Sequence, residues 1–354
     1  MSNQETYDRT LDAPSLPDEP YYRPVRSPQP GSRRAGLGIA LLLVGLILLA
    51  SQLFGQVSWF GGGTTTLVDQ RLPGSRIELS TTSADVHVAT WSGPGIRVEA
   101  IQRGGSRGDY TVSVSQSGDT VRVTEANRGP FWCLFCSRDL NYQISVPAGA
   151  QAAITTASGD IDVAGLAGPV TLGTVSGDVR AENLAGGLAV ETTSGDVRLS
   201  DVAGQLSVGT ISGEVKLEDG QVDGATVKTT SGDVELAGVA GALSVSTVSG
   251  EIDVSGARDG RLTLATTSGD IGYDGELARG GTSQISSISG DVKLALPASS
   301  GFRLDASTVS GELRSDFDLQ GGVAERRSLT GVAGDGAATL NVSTTSGEIH
   351  IERH

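Results

Sequence analysis

The sequence predicts an all-β protein whose body is a single-stranded parallel β-solenoid of about 18 residues per coil. Two observations lead to this prediction. Glycine supplies 50 of the 354 residues without a Gly-X-Y period, which suits a chain rich in turns. A Ser-Gly-Asp or Ser-Gly-Glu tripeptide followed by Val, Ile or Leu recurs along the chain, with its serines at Ser158, Ser176, Ser194, Ser212, Ser231, Ser249, Ser268, Ser289 and Ser310.

The spacing of these serines indicates stacked structural units. Successive differences are 18, 18, 18, 19, 18, 19, 21 and 21 residues, and a last copy at Ser346 lies 36 residues beyond Ser310. Eighteen residues extended at ~3.3 Å each span about 60 Å, enough for two or three short strands but not for a strand, a helix and a return. Corresponding strands of successive units should therefore stack in parallel, with each coil adding ~4.8 Å.

One repeat illustrates the predicted coil. Val170, Leu172, Thr174 and Ser176 alternate and should face inward, the following Gly-Asp should turn the chain, and Leu184 should close the unit. Glycine at the corner admits a positive φ, and the acid beside it can turn outward.

The first 60 residues predict a tail and a membrane anchor. Residues 1–34 contain six of the twelve prolines and few aliphatic side chains, so we predict a disordered, Pro-rich cytoplasmic tail. Residues 35–60 predict a transmembrane helix with its interface, because residues 36–54 form an apolar run long enough to cross a bilayer. Arg33 and Arg34 precede this run, and no charge follows until Asp69. The positive-inside rule then predicts a single-pass protein of the cell membrane, with a cytoplasmic N-terminus and an extracytoplasmic body. A cleaved signal peptide is the alternative, but the long leader and the lack of a small-x-small cleavage site disfavour it.

The body divides into two predicted regions. Residues 61–150 contain short runs of alternating polarity and predict an irregular N-terminal β region of the solenoid. Within it, the segment from Thr81 to Val86 resembles a degenerate copy of the repeat. Residues 151–354 predict regular solenoid repeats, with an irregular stretch from Arg314 to Ala338 that we interpret as part of a C-terminal cap.

Both cysteines lie in one apolar segment of the irregular region. Cys133 and Cys136 form a C-x-x-C pair, for which we favour a structural disulfide because the predicted compartment is oxidising. A zinc site or a redox pair is the alternative, although the sequence has no candidate zinc ligands nearby, no second C-x-x-C and no thioredoxin-like context. Four apolar residues lie next to the cysteines and either pack under the first strands or form an exposed patch that contacts a partner or the bilayer: Phe131, Trp132, Leu134 and Phe135.

The acids of the repeat predict a ladder along one corner of the solenoid. It comprises Asp160, Asp178, Asp196, Asp233, Asp270 and Asp291, with Glu214, Glu251 and Glu312 at the equivalent positions. Like charges about 5 Å apart repel by roughly 1 kcal/mol even in water. The carboxylates should therefore stay solvated, or cations should bridge them. We predict no catalytic residues, no dedicated metal site and no cofactor.

Charge and composition argue against two classes of function. The formal net charge is −15, and residues 1–60 are neutral, so the body carries all of it. An acidic body disfavours nucleic acid as a partner. Solenoid enzymes that act on polysaccharides need a cluster of acids and aromatic platforms. From residue 157 onward the only aromatic residues are Tyr273, Phe302 and Phe317, and the acids recur evenly.

Several stretches resemble a bacterial family of β-strand repeats called "putative adhesins", domain of unknown function 4097. They are the Thr-x-Ser-Gly-Asp-Val series, the segment Gln143 to Ala150, the segment Gly301 to Leu313 and the ending Gly334 to Ile351. The resemblance covers about residues 66–351. It implies an extracytoplasmic β-repeat protein without catalytic residues, in a family of which some members are linked to envelope stress responses.

These observations together predict a role. We expect a membrane-anchored extracytoplasmic β-solenoid with a non-enzymatic binding, adhesion or scaffolding role at the bacterial cell envelope, within the envelope stress response. Its expected partners are the lipid bilayer, through residues 36–54, and an envelope protein or surface component. A polysaccharide-active solenoid enzyme and a self-assembling, filament-forming scaffold remain the alternatives.

Overall fold

The computed structural model describes residues 64–104, 110–127 and 139–354. The predicted tail, the predicted membrane helix and the segment with both cysteines lie outside these ranges. Within them no helix is long and apolar enough to cross a membrane. All regular structure in the described ranges is β-strand.

The strands, numbered in chain order, are β1 (Thr64–Leu72), β2 (Arg76–Ser80), β3 (Ala84–Thr90), β4 (Ile96–Arg103), β5 (Tyr110–Ser117), β6 (Thr120–Asn127), β7 (Asp139–Val146), β8 (Gln151–Thr155), β9 (Ile161–Ala164), β10 (Val170–Gly173), β11 (Val179–Leu184), β12 (Leu188–Glu191), β13 (Val197–Gly209), β14 (Val215–Glu218), β15 (Gln221–Lys228), β16 (Val234–Ala237), β17 (Val239–Ser246), β18 (Ile252–Ala265), β19 (Ile271–Leu277), β20 (Thr282–Ser286), β21 (Val292–Leu296), β22 (Phe302–Ser310), β23 (Leu313–Ser315), β24 (Gln320–Glu325), β25 (Ser328–Ala333), β26 (Ala338–Ser346) and β27 (Ile349–Arg353).

These strands form two stacks, which we call sheet A and sheet B. Sheet A runs β1, β4, β7, β3, β9, β11, β13, β14, β16, β18, β19, β21, β27 and β23. Sheet B runs β5, β6, β2, β8, β10, β12, β13, β15, β17, β18, β20, β26, β22, β25 and β24. The long strands β13 and β18 bend from one sheet into the other. The interior pairings are parallel, which confirms the predicted all-β solenoid.

The core lies between the two sheets and is built from alternating residues. In β11 and β12, Val179, Ala181, Leu184, Leu188 and Val190 are all at most 3% exposed. Equivalent positions of the next coil align with them one to one, so Val179 stacks on Val197 and Leu188 on Leu206. Alternation places the residues between them outside, which leaves two long exposed faces.

The order of coils in space departs from the order in the sequence at both ends. The strands β6 and β7 stack outside β2 and β3, so the second coil of the chain is the outer one. At the other end β26 and β27 insert between β20 and β21 on one side and β22 and β23 on the other. We expected Ser310 to stack on Ser289. In the structure Ser346 lies between them, because the last segment of the chain folds back into the gap.

Antiparallel strands cover both sheets at the N-terminal end of the stack and sheet B at the C-terminal end, where sheet A ends in the parallel strand β23. At the N-terminal end, β1 and β4 close sheet A and β5 closes sheet B. At the C-terminal end, β25 and β24 close sheet B. These strands replace the parallel edge on which a further coil of the same type would stack.

Candidate functional site

The Ser-Gly-Asp corner joins sheet B to sheet A in every regular coil. Thr174 is buried as predicted, whereas Ser176 is exposed, contrary to our expectation of an inward side chain. The chain has already turned at this point, and the backbone of Ser176 pairs with Ser158 and Ser194. The serine column therefore joins neighbouring coils through the backbone.

The corner glycines are required because the coils approach closely there. A Cβ on Gly195 would lie 2.0 Å from the carbonyl oxygen of Gly177, and one on Gly213 would lie 2.1 Å from that of Gly195. No real Cβ atom tolerates such distances. The glycine column is therefore explained by packing between backbones.

The aspartates beside these glycines bond to the next coil. Asp160 Oδ1 accepts the backbone N–H of Asp178 at 2.9 Å, and Asp178 Oδ1 accepts that of Asp196 at 3.1 Å. The Oδ1 atom of Asp85, in the degenerate N-terminal repeat, accepts the equivalent backbone N–H of the next coil, and so do those of Asp196, Asp233, Asp270 and Asp291. At the described positions where the acid is glutamate, no such bond forms. The predicted acidic ladder is thus a chain of carboxylate caps on backbone amides, which we did not anticipate.

Basic side chains on sheet A offset the first half of this ladder. Arg180 lies 3.1 Å from Asp178 and 3.6 Å from Asp160, and Arg198 lies 2.8 Å from Asp196. Lys216 continues the same column and contacts Glu218 and Glu235 at 3.1 and 3.2 Å. Hydrogen bonds to these two carboxylates raise the pKa of Lys216.

The column then changes sign, and an acidic patch follows. We call it the acidic segment and define it as Asp233, Glu235, Glu251, Asp253, Asp270 and Asp274, on or beside β16, β18 and β19. After Lys216 the column reads Glu235, Asp253, Gly272 and Lys293. Lys293 contacts Glu352 at 3.2 Å, and none of the described residues forms an ion pair with Asp253. The acidic segment is therefore short of cations at its centre.

The electrostatics of Glu251 reflect this shortage. Partial burial raises the pKa of Glu251 above its ordinary value, and the negative charges of Asp253, Asp270 and Asp233 raise it further. An open groove of about 320 Å³ lies on the same coils and is lined in part by Asp253, Asp274 and Lys293. Glu235 and Asp274 are paired at the margins, with Lys216 and with His354 respectively. The arrangement favours binding of a positively charged group.

The exposed face of sheet B in the same coils has a different chemistry. From β8 to β18, the two outward positions of each strand nearest the Ser-Gly-Asp corner are Ser, Thr, Ala or Gly, apart from Glu191 and Lys228. Farther from the corner the sheet also carries exposed Gln205, Arg258 and Arg261. A shallow groove of about 510 Å³ lies over Gly209, between these two charged residues. Ile211 lines this groove and is about half exposed, at 53%, as are the equivalent residues Val175 and Val248 two coils away on either side, at 52% and 50%.

The sequence located some of these features and missed others. The structure brings the predicted acids of the ladder together at one corner. Cys133, Cys136, Phe131, Trp132, Leu134 and Phe135 lie outside the described residues, so their predicted roles stay predictions. In the described part of the chain, no group of three or more His, Cys, Asp or Glu residues is arranged to hold a metal ion. We did not predict Glu235, Asp253 and Asp274 from the sequence, although the second residue of each Val-x-Leu segment, compared coil by coil, shows the change of sign.

Comparison with solved structures finds six matching chains, which include the following three. A "putative cell adhesion protein" from Clostridium sporogenes aligns over 82% of this chain and 100% of its own, at 10% identity and a TM-score of 0.24. A "putative adhesin" from Bacteroides fragilis aligns over 82% and 97%, at 12% identity and a TM-score of 0.34. A "Putative lipid binding protein" from Parabacteroides distasonis aligns over 82% and 98%, at 12% identity and a TM-score of 0.36.

Comparison with curated proteins finds no match. The sequence pattern of the Toastrack family, DUF4097, matches residues 74–278 and 277–352, which together span most of the chain. These residues include both sheets, the corner and the two ends at which coil order and sequence order differ. The chain therefore belongs to the Toastrack DUF4097 family.

Proposed function

We propose that the chain is a membrane-anchored, extracytoplasmic binding protein of the bacterial cell envelope, and that it acts without catalysis. The apolar run at residues 36–54 and the arginines before it support the anchor and the orientation. Family membership supports a role as an envelope repeat protein. We assign it to the envelope stress response on the family resemblance.

The observation that carries the binding role is the acidic segment, whose central acids have no basic partner among the described residues, on a regular stack of coils. Six carboxylates lie within three successive coils, and the basic side chains that offset the earlier coils stop at Lys216. Acids at the corner already serve as caps for backbone amides, so the fold explains their recurrence. The acids on the outward column have no such structural role. We infer that the acidic segment binds a partner that presents positive charge, such as a basic segment of an envelope protein.

Direct binding tests this inference. The full-length chain in a mild detergent is titrated with a ten-residue lysine peptide, and binding is measured by calorimetry at two salt concentrations. We expect binding that weakens at high salt, because exposed charges are screened beyond ~10 Å at 0.1 M salt. Replacing Glu251→Gln and Asp253→Asn together should weaken binding at least fivefold, since both charges lie at the centre of the segment.

A matched control separates this site from the overall charge. Asp201→Asn with Asp219→Asn removes the same two charges at another corner, where both residues have φ near +50 that asparagine tolerates. This control should change the affinity less than twofold. Equal weakening by both pairs of substitutions would show that only net charge matters and would refute the proposed site.

The anchor and the absence of catalysis need separate tests. The full-length chain should stay in the membrane after alkaline washing, whereas a chain without residues 36–54 should not. Protease added outside intact spheroplasts should digest the body and spare the tail. Release of fragments from envelope polysaccharides by the purified chain would contradict the non-catalytic role.

A further inference from the structure

On the exposed face of sheet B, the three columns nearest the Ser-Gly-Asp corner form a pattern that is the same in both directions along the stack of coils. Each column consists of equivalent residues from five successive coils, taken from β10, β12, β13, β15 and β17 or from the corner that follows each strand. The outer column is Thr171, Ala189, Ser207, Thr226 and Ser244. The inner column is Gly173, Glu191, Gly209, Lys228 and Ser246. The corner stripe is Val175, Thr193, Ile211, Thr230 and Val248.

The corner stripe is symmetric about Ile211. Threonine lies on both sides of Ile211, and valine lies beyond each threonine. Val175, Ile211 and Val248 are each at least 50% exposed, although nothing in the coil requires an apolar residue there. A column of half-exposed β-branched residues at every second coil is an apolar surface that water solvates poorly.

In the inner column, residues at equal distances on the two sides of Gly209 are similar in size, and the two residues next to Gly209 carry opposite charges. Glu191 lies one coil before Gly209 and Lys228 lies one coil after it. Neither forms an ion pair with another residue of the described ranges, whereas Arg180, Arg198 and Lys216 on sheet A are all paired. The Glu191 carboxylate leans over Gly209, where a Cβ would meet Glu191 Oε2 at 2.4 Å.

A two-fold axis parallel to β13 brings complementary residues of two copies face to face in all three columns. Such an axis lies between two facing copies and reverses the direction of the coils while it keeps the direction of the strands. Ile211 then faces Ile211 of the other copy, and Val175 faces Val248. Glu191 faces Lys228, and Lys228 faces Glu191, so two opposite charges meet twice in one closed interface. The outer column adds only Ser, Thr and Ala, which allow close approach of the two sheets.

We propose that the chain pairs with a second copy of itself through this face of sheet B, with the two rods antiparallel. The next coil on each side adds Ala153, Thr155, Thr263 and Ala265, which are small and uncharged. Seven strands at ~4.8 Å and about 20 Å of strand width then bury roughly 1,300 Å² in total, at the lower end of specific interfaces. The pairing therefore has modest affinity. It does not depend on the proposed binding function.

Charge reversal tests the pairing by sedimentation of the full-length chain in detergent over a range of concentrations. We expect a reversible dimer for the unchanged chain. Glu191→Lys or Lys228→Glu alone should weaken self-association at least tenfold, because each creates a cluster of like charges at the axis. The double substitution exchanges the charges and should restore the affinity to within about threefold. A chain that is monomeric at every concentration, or a double variant that stays as weak as the single ones, overturns the proposal.

Cysteine cross-linking provides a second readout with a matched control. In a chain with Cys133→Ser and Cys136→Ser, Ile211→Cys should form a disulfide-linked dimer under mild oxidation, because it faces its own copy. Ile288 is equally exposed, at 52%, but lies four coils from the axis and faces a different residue. Ile288→Cys should therefore cross-link poorly. Equal cross-linking of the two variants, or none for Ile211→Cys, contradicts the two-fold arrangement.

Discussion

Sheet A and sheet B share one core and one corner, yet their outward faces differ along the same coils. Sheet A presents Arg180, Arg198 and Lys216 and then Glu235 and Asp253. Beside the corner, sheet B presents hydroxyl and small side chains with one acid, Glu191, and one base, Lys228. Inward positions are fixed by packing, because each must match the coil above and below. Outward positions are free of that constraint. A binding surface therefore forms from the outward residues at equivalent positions of successive coils.

The largest expected effect comes from a substitution at the corner that joins sheet A to sheet B. Gly195→Ala should destabilise the chain by about 3 kcal/mol, because the new Cβ meets the carbonyl of Gly177 at 2.0 Å. Gly149→Ala is the control, since a Cβ at that position would have no other atom within 4 Å. Thermal and denaturant unfolding measure the difference. Equal stability of the two variants would show that the corner tolerates a side chain.

A smaller effect should separate aspartate from glutamate in the ladder. Asp178→Ala removes the acceptor for the N–H of Asp196 and a partner of Arg180, and should cost about 1 kcal/mol. Glu214→Ala should cost less than about 0.5 kcal/mol, because the Glu214 side chain has no hydrogen-bond or ion-pair partner in the described ranges. Denaturant unfolding at neutral pH compares them. A larger loss for Glu214→Ala would show that the caps do not stabilise the stack.

The smallest expected effect concerns the acidic segment itself and depends on pH. The folded chain holds the Glu251 proton more tightly than the unfolded chain, so ionisation of this carboxyl removes stability as pH rises from 4.5 through the raised pKa. Glu251→Gln should therefore be more stable than the unchanged chain at neutral pH, by less than about 1 kcal/mol because the group is mostly solvated. Below pH 4.5 the difference should vanish.

A carboxyl with the opposite shift provides the control. Hydrogen bonding to Arg97 lowers the pKa of Asp69, so this group stabilises the fold above its ordinary value of 3.8 and loses that contribution as pH falls. Asp69→Asn should be less stable than the unchanged chain at neutral pH. Unfolding curves between pH 3 and pH 8 test both signs, and a stabilising Asp69→Asn would contradict the assignment.

The sequence predicted the regular part of the fold because the relevant information is local. The period, the inward Val-x-Leu segments, the closing Leu184 and the degenerate copy at Thr81 to Val86 all follow from alternation and turn chemistry. The outward orientation of Ser176 was missed because alternation was extended through a corner where the chain has already turned.

The departures at the two ends could not be read from the repeat. Ser346 begins another copy of the repeated Ser-Gly-Glu tripeptide, and the residues around it do not indicate that it stacks between Ser289 and Ser310. The choice between two parallel neighbours depends on which edge the returning chain reaches. The acidic segment was missed for a related reason. Its residues are 18 to 21 positions apart and become neighbours only after the register is known.

Mapping where a cationic partner contacts the rod tests the central claim, that the outward face of sheet A is the recognition surface. A lysine peptide that carries a photoreactive group is bound to the full-length chain, irradiated and located by mass spectrometry. We predict cross-links concentrated on and beside β16, β18 and β19, around Asp233 to Asp274, and lost in the Glu251→Gln and Asp253→Asn variant. Cross-links spread evenly along the rod, or concentrated on sheet B, would contradict the account.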